Sequence, residues 1–213
     1  SIFFTFFFYI SVLIFITGVS YKIVQYWQTP APLKIPIAPA PLNRSGVLMR
    51  IAREVFLFQS LFKASKWTWI FGWSFHLALV LLFFRHLVYF WPGEIPTILL
   101  KTEPLKYAAY PLIFGLLGLL GRRLFVDRVR YISAPSDYLM LLLLIVIGGS
   151  GMLMTFAQNH PNMLLVKNFA EGLITFNWSE LPSELLFLAH IFLVFLLIMF
   201  LWFGYVSILL SFF

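Results

Sequence analysis

Five long apolar runs, interrupted by segments rich in charge and proline, set the pattern along this chain: Ile2–Tyr21, Trp67–Trp91, Tyr107–Gly121, Tyr138–Phe156 and Leu185–Phe213. A helix needs about 20 apolar residues to cross the ~30 Å hydrocarbon layer of a bilayer. The third run is the weakest and spans only if Pro104–Lys106 or Arg122 and Arg123 snorkel at its ends. It is counted because dropping it would put two basic loops on opposite sides of the membrane. The first run lacks a basic start and a small-residue cleavage site, and its apolar stretch is too long for a cleaved leader, so it is read as a spanning helix. The pattern predicts an all-α integral membrane protein, one domain over residues 1–213, with five transmembrane helices.

Composition agrees and removes alternatives. A chain of 213 residues that is 62% hydrophobic and 11% charged lacks the polar side chains to cover a water-soluble globule. The net charge of +7 would suggest nucleic acid in a soluble protein, but here it is confined to particular loops and reports topology, so no nucleic-acid partner is expected. Lys22, Lys34, Arg44, Arg50, Arg53, Lys63 and Lys66 lie between the first two runs, and Arg122, Arg123, Arg128 and Arg130 between the third and fourth. Only Lys101, Lys106 and Lys167 lie on the opposite side. The positive-inside rule then places the N-terminus outside and the C-terminus in the cytoplasm. The cytoplasmic loop at 28–66 opens with a proline-rich stretch that should run extended. It continues as Gly46–Ser65, where Val47, Ile51, Val55, Phe58 and Leu61 recur at helical spacing, predicting an amphipathic helix in the interface or docked on a partner.

Candidate chemistry rests on histidine. The chain has no cysteine, which excludes disulfides, c-type haem attachment and cluster ligation by this chain. Yet His76 and His86 share the second apolar run and His190 lies in the fifth. Imidazoles inside a bilayer are costly unless used, and axial ligation of haem b iron is the use that best suits an apolar bundle. At the helical rise His86 and His190 enter at matching depth near the outer end, and His76 lies about 15 Å further in. The first two are therefore expected to share an outer haem. His76 has no evident partner, because position 208, five whole turns beyond His190, is Ile208. Its site is left with a five-coordinate iron, an unidentified ligand, or a histidine beyond Phe213. His160, in the loop after the fourth run, is read as a loop histidine or as a contact for proton release or quinone. Gly148, Gly149 and Gly151 permit either close helix approach or entry of a flat macrocycle edge. Arg85, the one charge within a spanning core, calls for an anion, with a haem propionate as the natural candidate and Glu94 as another.

The string from Phe75 to His86, the basic run from Arg122 to Arg130 and the segment Ala189–Phe192 resemble the gamma subunit of respiratory nitrate reductase, a five-helix dihaem cytochrome b. Pro32–Pro36, Ser60–Trp69 and Arg128–Asp137 are more similar to the M subunit of the membrane complex associated with dissimilatory sulfite reductase, within the same family. The resemblance implies a prokaryotic cytoplasmic-membrane subunit carrying electrons between a quinone pool, menaquinone or another, and a cytoplasmic iron–sulfur subunit. It implies haem b, two per chain, in a multi-subunit respiratory or sulfur-metabolism complex embedded in the lipid bilayer. His76, His86 and His190 match the family's ligand positions and Ile208 departs from the fourth. Lys106 resembles a basic residue near the family's quinol site, against a plain snorkelling anchor. The alternatives are a gamma-type subunit of a nitrate reductase-like complex, or a non-redox membrane anchor or transporter. A proton-coupled transporter would want carboxylates inside the helices, and the five runs have none in their cores.

Overall fold

The computed structural model describes residues 2–30, 43–91, 103–157, 161–177 and 179–210, without the side chains of 103 and 202–210. Within them all regular structure is helical. Helix α1 is Ile2–Gln28, α2 Arg44–Leu57, α3 Gln59–Ala64 and α4 Lys66–Phe90. A 3-10 turn, Glu103–Ala108, leads into α5, Ala109–Phe125. Then follow α6, Asp127–Ile132, α7, Pro135–Phe156, α8, Met163–Thr175, and α9, Leu185–Leu210. Among the described residues four helices are long and apolar enough to cross a bilayer: α1, α4, the continuous 104–125 stretch and α7. Over its described side chains α9 is apolar from Leu185 to Leu201.

The ends of these helices have identifiable causes. Asn43 caps α2 by accepting from Gly46 N–H at 3.0 Å, and Asn162 caps α8 by accepting from Leu164 N–H at 3.0 Å. Pro135 opens α7, where its missing N–H costs nothing, and Asp137 accepts from the Ala134 N–H at 3.0 Å. That carboxylate also pairs with Arg123 at 3.1 Å. Arg123 donates to Ser133 at 2.7 Å, and Tyr138 donates to the Arg123 carbonyl at 3.1 Å. The end of α5, the short α6 and the start of α7 are thereby tied into one polar corner, and the basic run of 122–130 is part of it.

The long apolar helices form a relay: α4 packs on α5, α5 on α7, α7 on α9 and α9 on α1. Leu112, Leu116, Leu141 and Ala78 bury the first half of it, with Leu116 fully enclosed. Phe169, Leu173 and Phe195 bury the second half against Phe4, Phe7 and Phe8 of α1. The α4–α5 contact is close because residue 115 is glycine. A β-carbon there would lie 2.6 Å from the Phe71 carbonyl oxygen and 2.9 Å from the Phe75 nitrogen. Large apolar side chains such as Phe3, Leu13, Phe83 and Leu139 face outward and are exposed, the arrangement expected where lipid is the solvent.

Two expectations are corrected, and one helix is added. The first helix continues past Tyr21 to Gln28 and takes Lys22 into its last turns. The apolar run marks only the hydrocarbon-embedded part, and no breaker occurs before Pro30. The single amphipathic helix expected over Gly46–Ser65 is broken at Phe58, whose φ of 48° is left-handed. Helix α8 was not anticipated; its apolar side is covered by α4, α9 and α1 rather than by lipid.

Candidate functional site

Helix α4 carries two of the three candidate ligands and fixes both in the same way. His76 Nδ1 is 2.7 Å from the Gly72 carbonyl oxygen and His86 Nδ1 is 2.7 Å from that of Leu82. A carbonyl can only accept, so Nδ1 carries the proton at both residues and donates it. In a neutral imidazole that leaves Nε2 with its lone pair. Ligating histidines typically hold their second nitrogen in this manner. Both rings are accessible.

His190 reaches the same state by another route. It lies six residues into α9, and its Nδ1 is 2.8 Å from Ser150 Oγ on α7. Ser150 is buried and lies 2.9 Å from the Ile147 carbonyl oxygen, to which its hydroxyl donates. The hydroxyl proton is thus committed, Ser150 accepts from His190 Nδ1, and Nε2 is again the free nitrogen. His86 lies near the C-terminal end of α4 and His190 near the N-terminal end of α9. His76 lies earlier in α4 than His86, with the rings of Phe58 and Phe75 at centroid distances of 4.9 and 4.7 Å.

The glycines of α7 divide by function. Gly148 faces α5, where a β-carbon would meet Leu112 at 2.6 Å and Ile113 at 2.9 Å, so its role is helix packing. Gly151 makes room for His190, whose Cε1 would lie 3.3 Å from a β-carbon there. Gly149 has nothing within 4 Å and faces open space. Arg85 is half-buried and directly precedes His86 on α4. Lys106 is half-buried with its ammonium 5.6 Å from the centroid of the Tyr107 ring. His160 and Glu94 lie outside the described residues, as does the side chain of Ile208.

These features fit haem. The macrocycle brings its own equatorial nitrogens and asks the protein for axial imidazoles with the distal nitrogen anchored. His76, His86 and His190 offer that chemistry, and Gly149 leaves space on the face of α7 next to Ser150. The sequence reading passed over Ser150, although a hydroxyl set among glycines in an apolar helix is a visible signal, and it passed over Phe58, which no local pattern marks.

Comparison with known proteins places these observations. The family described as nitrate reductase gamma subunit matches residues 45–207, a range that contains all three histidines. Two archaeal proteins described as Hdr-like menaquinol oxidoreductase cytochrome b-like subunits are similar to the chain. That of Archaeoglobus profundus is 30% identical over 87% of this chain and 67% of its own length. That of Archaeoglobus fulgidus is 30% identical over 79% of this chain and 63% of its own. The chain thus spans about two thirds of the length of these relatives.

Proposed function

The chain belongs to the nitrate reductase gamma subunit family, and on that premise we propose that it is the membrane cytochrome b subunit of a menaquinol-linked oxidoreductase complex, passing electrons between quinone and a cytoplasmic iron–sulfur subunit. The observation that carries the reading is the common state of the three histidines, each with Nδ1 bonded to a fixed acceptor and Nε2 available. In this proposal α9 is a fifth crossing, the loops bearing most of the basic residues face the cytoplasm of a prokaryotic cell, and α1 begins outside.

His86 and His190 would hold an outer haem b and His76 an inner one. Haem b, when bound, supplies a one-electron iron couple. The protein's part is to keep each Nε2 unprotonated, to fix ring orientation through Gly72, Leu82 and Ser150, and to exclude water with the apolar faces of α4, α7 and α9. Arg85 offers a guanidinium for a propionate beside His86. At the outer end, Lys106 and His160 are the candidate quinone contacts, where protons leave a quinol as it is oxidised or reach a quinone as it is reduced. Nothing in these residues performs bond chemistry on a terminal substrate; that belongs to the soluble partner.

A pyridine haemochrome assay on the purified protein, combined with His76→Ala, His86→Ala and His190→Ala, tests this. Loss of the same low-spin component in the His86 and His190 variants, and of a carbon monoxide-binding component in the His76 variant, is expected. A wild-type protein without haem would return the chain to the anchor or transporter class. Full haem content in both outer variants would dissolve the pairing.

A further inference from the structure

The surface corner where α2 meets α3 is built more elaborately than a link between two short helices requires. Phe58 stands at the joint with φ 48° and ψ 47°, a region in which the β-carbon of any L-residue crowds the backbone. Glu54 reaches across the joint and accepts from Ser60 with both oxygens, at 3.0 Å from the main-chain nitrogen and 2.6 Å from the hydroxyl. Two indoles of α4 fasten the corner from the other side. Trp69 donates to the Leu57 carbonyl at 2.7 Å and Trp73 to that of Phe56 at 3.3 Å. The last carbonyls of a helix have no partner within it, so α4 supplies the C-terminal caps of α2.

The joint delivers one ring to one place. Phe56 and Leu57 are exposed, whereas Phe58 is half-buried with its ring 4.9 Å from that of His76. A glycine would make the same turn without strain, so the turn alone does not account for a phenylalanine. The ring does. Trp69, Trp73 and His76 follow one another along α4, and the corner is laid along that line, bringing the Phe58 ring against the imidazole at an interplanar angle of 58°.

We propose that Phe58 is a positioning residue for the inner redox centre: its ring covers His76, restricts the imidazole's rotation and keeps water away from the liganded nitrogen. The proposal rests on the reading of His76 as a haem ligand. Oxidised iron carries the additional positive charge, and water near its ligand stabilises that charge, so covering the ligand raises the potential. The position of the α2–α3 corner on the protein surface therefore sets the potential of a centre inside the membrane.

Phe58→Gly and Phe58→Asn tolerate the left-handed joint and remove the ring, and Phe58→Tyr retains a ring at the same backbone cost. In the full protein, solubilised from its membranes, haem content, midpoint potentials and cyanide binding are measured for these variants and for His76→Ala. The Gly and Asn variants are expected to keep the wild-type haem content while one centre shifts to lower potential and binds cyanide faster, with the Tyr variant following the wild type. Gly and Asn variants that titrate with the wild type, in a protein where His76→Ala has lost a haem, would overturn the proposal and leave the haem reading standing. A His76→Ala protein with its full haem content would overturn both.

Discussion

An imidazole inside an apolar bundle is useful as a ligand only when its other nitrogen has a settled proton. His76 and His86 borrow a carbonyl from the preceding turn of their own helix, which makes the ring and the helix one body. His190 depends on a different helix through Ser150, and that dependence is open to test. Ser150→Ala removes that acceptor from the Nδ1–H, at a cost of about 0.5–1.5 kcal/mol for the lost hydrogen bond. The variant should melt at lower temperature than the wild type and show a weakened low-spin spectrum from the outer centre, while Ser150→Thr restores both. A spectrum and melting point unchanged in the Ala variant would mean that the hydroxyl does not orient the ring. The histidines were legible in the sequence because their residue type is costly in lipid. Ser150 was not legible as a partner, since a membrane serine commonly bonds only the carbonyl one turn back, and its contact with His190 exists only once α7 and α9 are packed.

Among the elements, the apolar helices declared themselves and the polar connections did not. Runs of apolar residues located α1, α4, α5 and α7 because the bilayer imposes a length, and the same apolar signal marked α9. The break of the inner amphipathic stretch at Phe58 has no periodic signature, because it is imposed by Trp69, Trp73 and the Glu54–Ser60 clasp, which are contacts at a distance. Helix α8 escaped for the same reason. The clasp has a definite response to acid. Bonds from Ser60, side chain first and then main chain, hold the Glu54 carboxyl below its ordinary range, with Arg50 and Lys63 adding to the effect. A carboxyl with a depressed folded pKa contributes fully above the unfolded value of about 4.3 and loses that contribution as pH falls through the folded one. The protection of the Phe58–Ser60 amides, their exchange relative to the free-peptide rate at the same pH, should therefore fall as the medium is acidified below that range. Glu54→Gln should lower that protection at neutral pH as well; a wild-type protection that does not change with pH would show that the clasp is not what holds the joint.

At the scale of the whole molecule, α2 and the segment from Phe125 to Tyr131 combine basic residues with exposed apolar side chains. Leu48, Phe56, Phe125 and Tyr131 are exposed there among Arg50, Arg53, Arg128 and Arg130, a surface suited to an acidic partner with an apolar patch. If the proposed iron–sulfur partner docks here, crosslinking in native membranes is expected to join Lys63 or Lys66, or Lys34 outside the described residues, to it. Crosslinks confined to Lys101, Lys106 or Lys167 would reverse the topology. The relay of helices has one more consequence. The separation of His86 from His190 is the sum of successive contacts, α4 on α5, α5 on α7 and α7 on α9, and each is gauged by a glycine at 115, 148 or 151. Dimensional errors in such a series accumulate rather than average. A single added methyl group at any of the three sites would be read out at the far end as a change in the gap between two imidazoles, even where the altered residue touches neither ring.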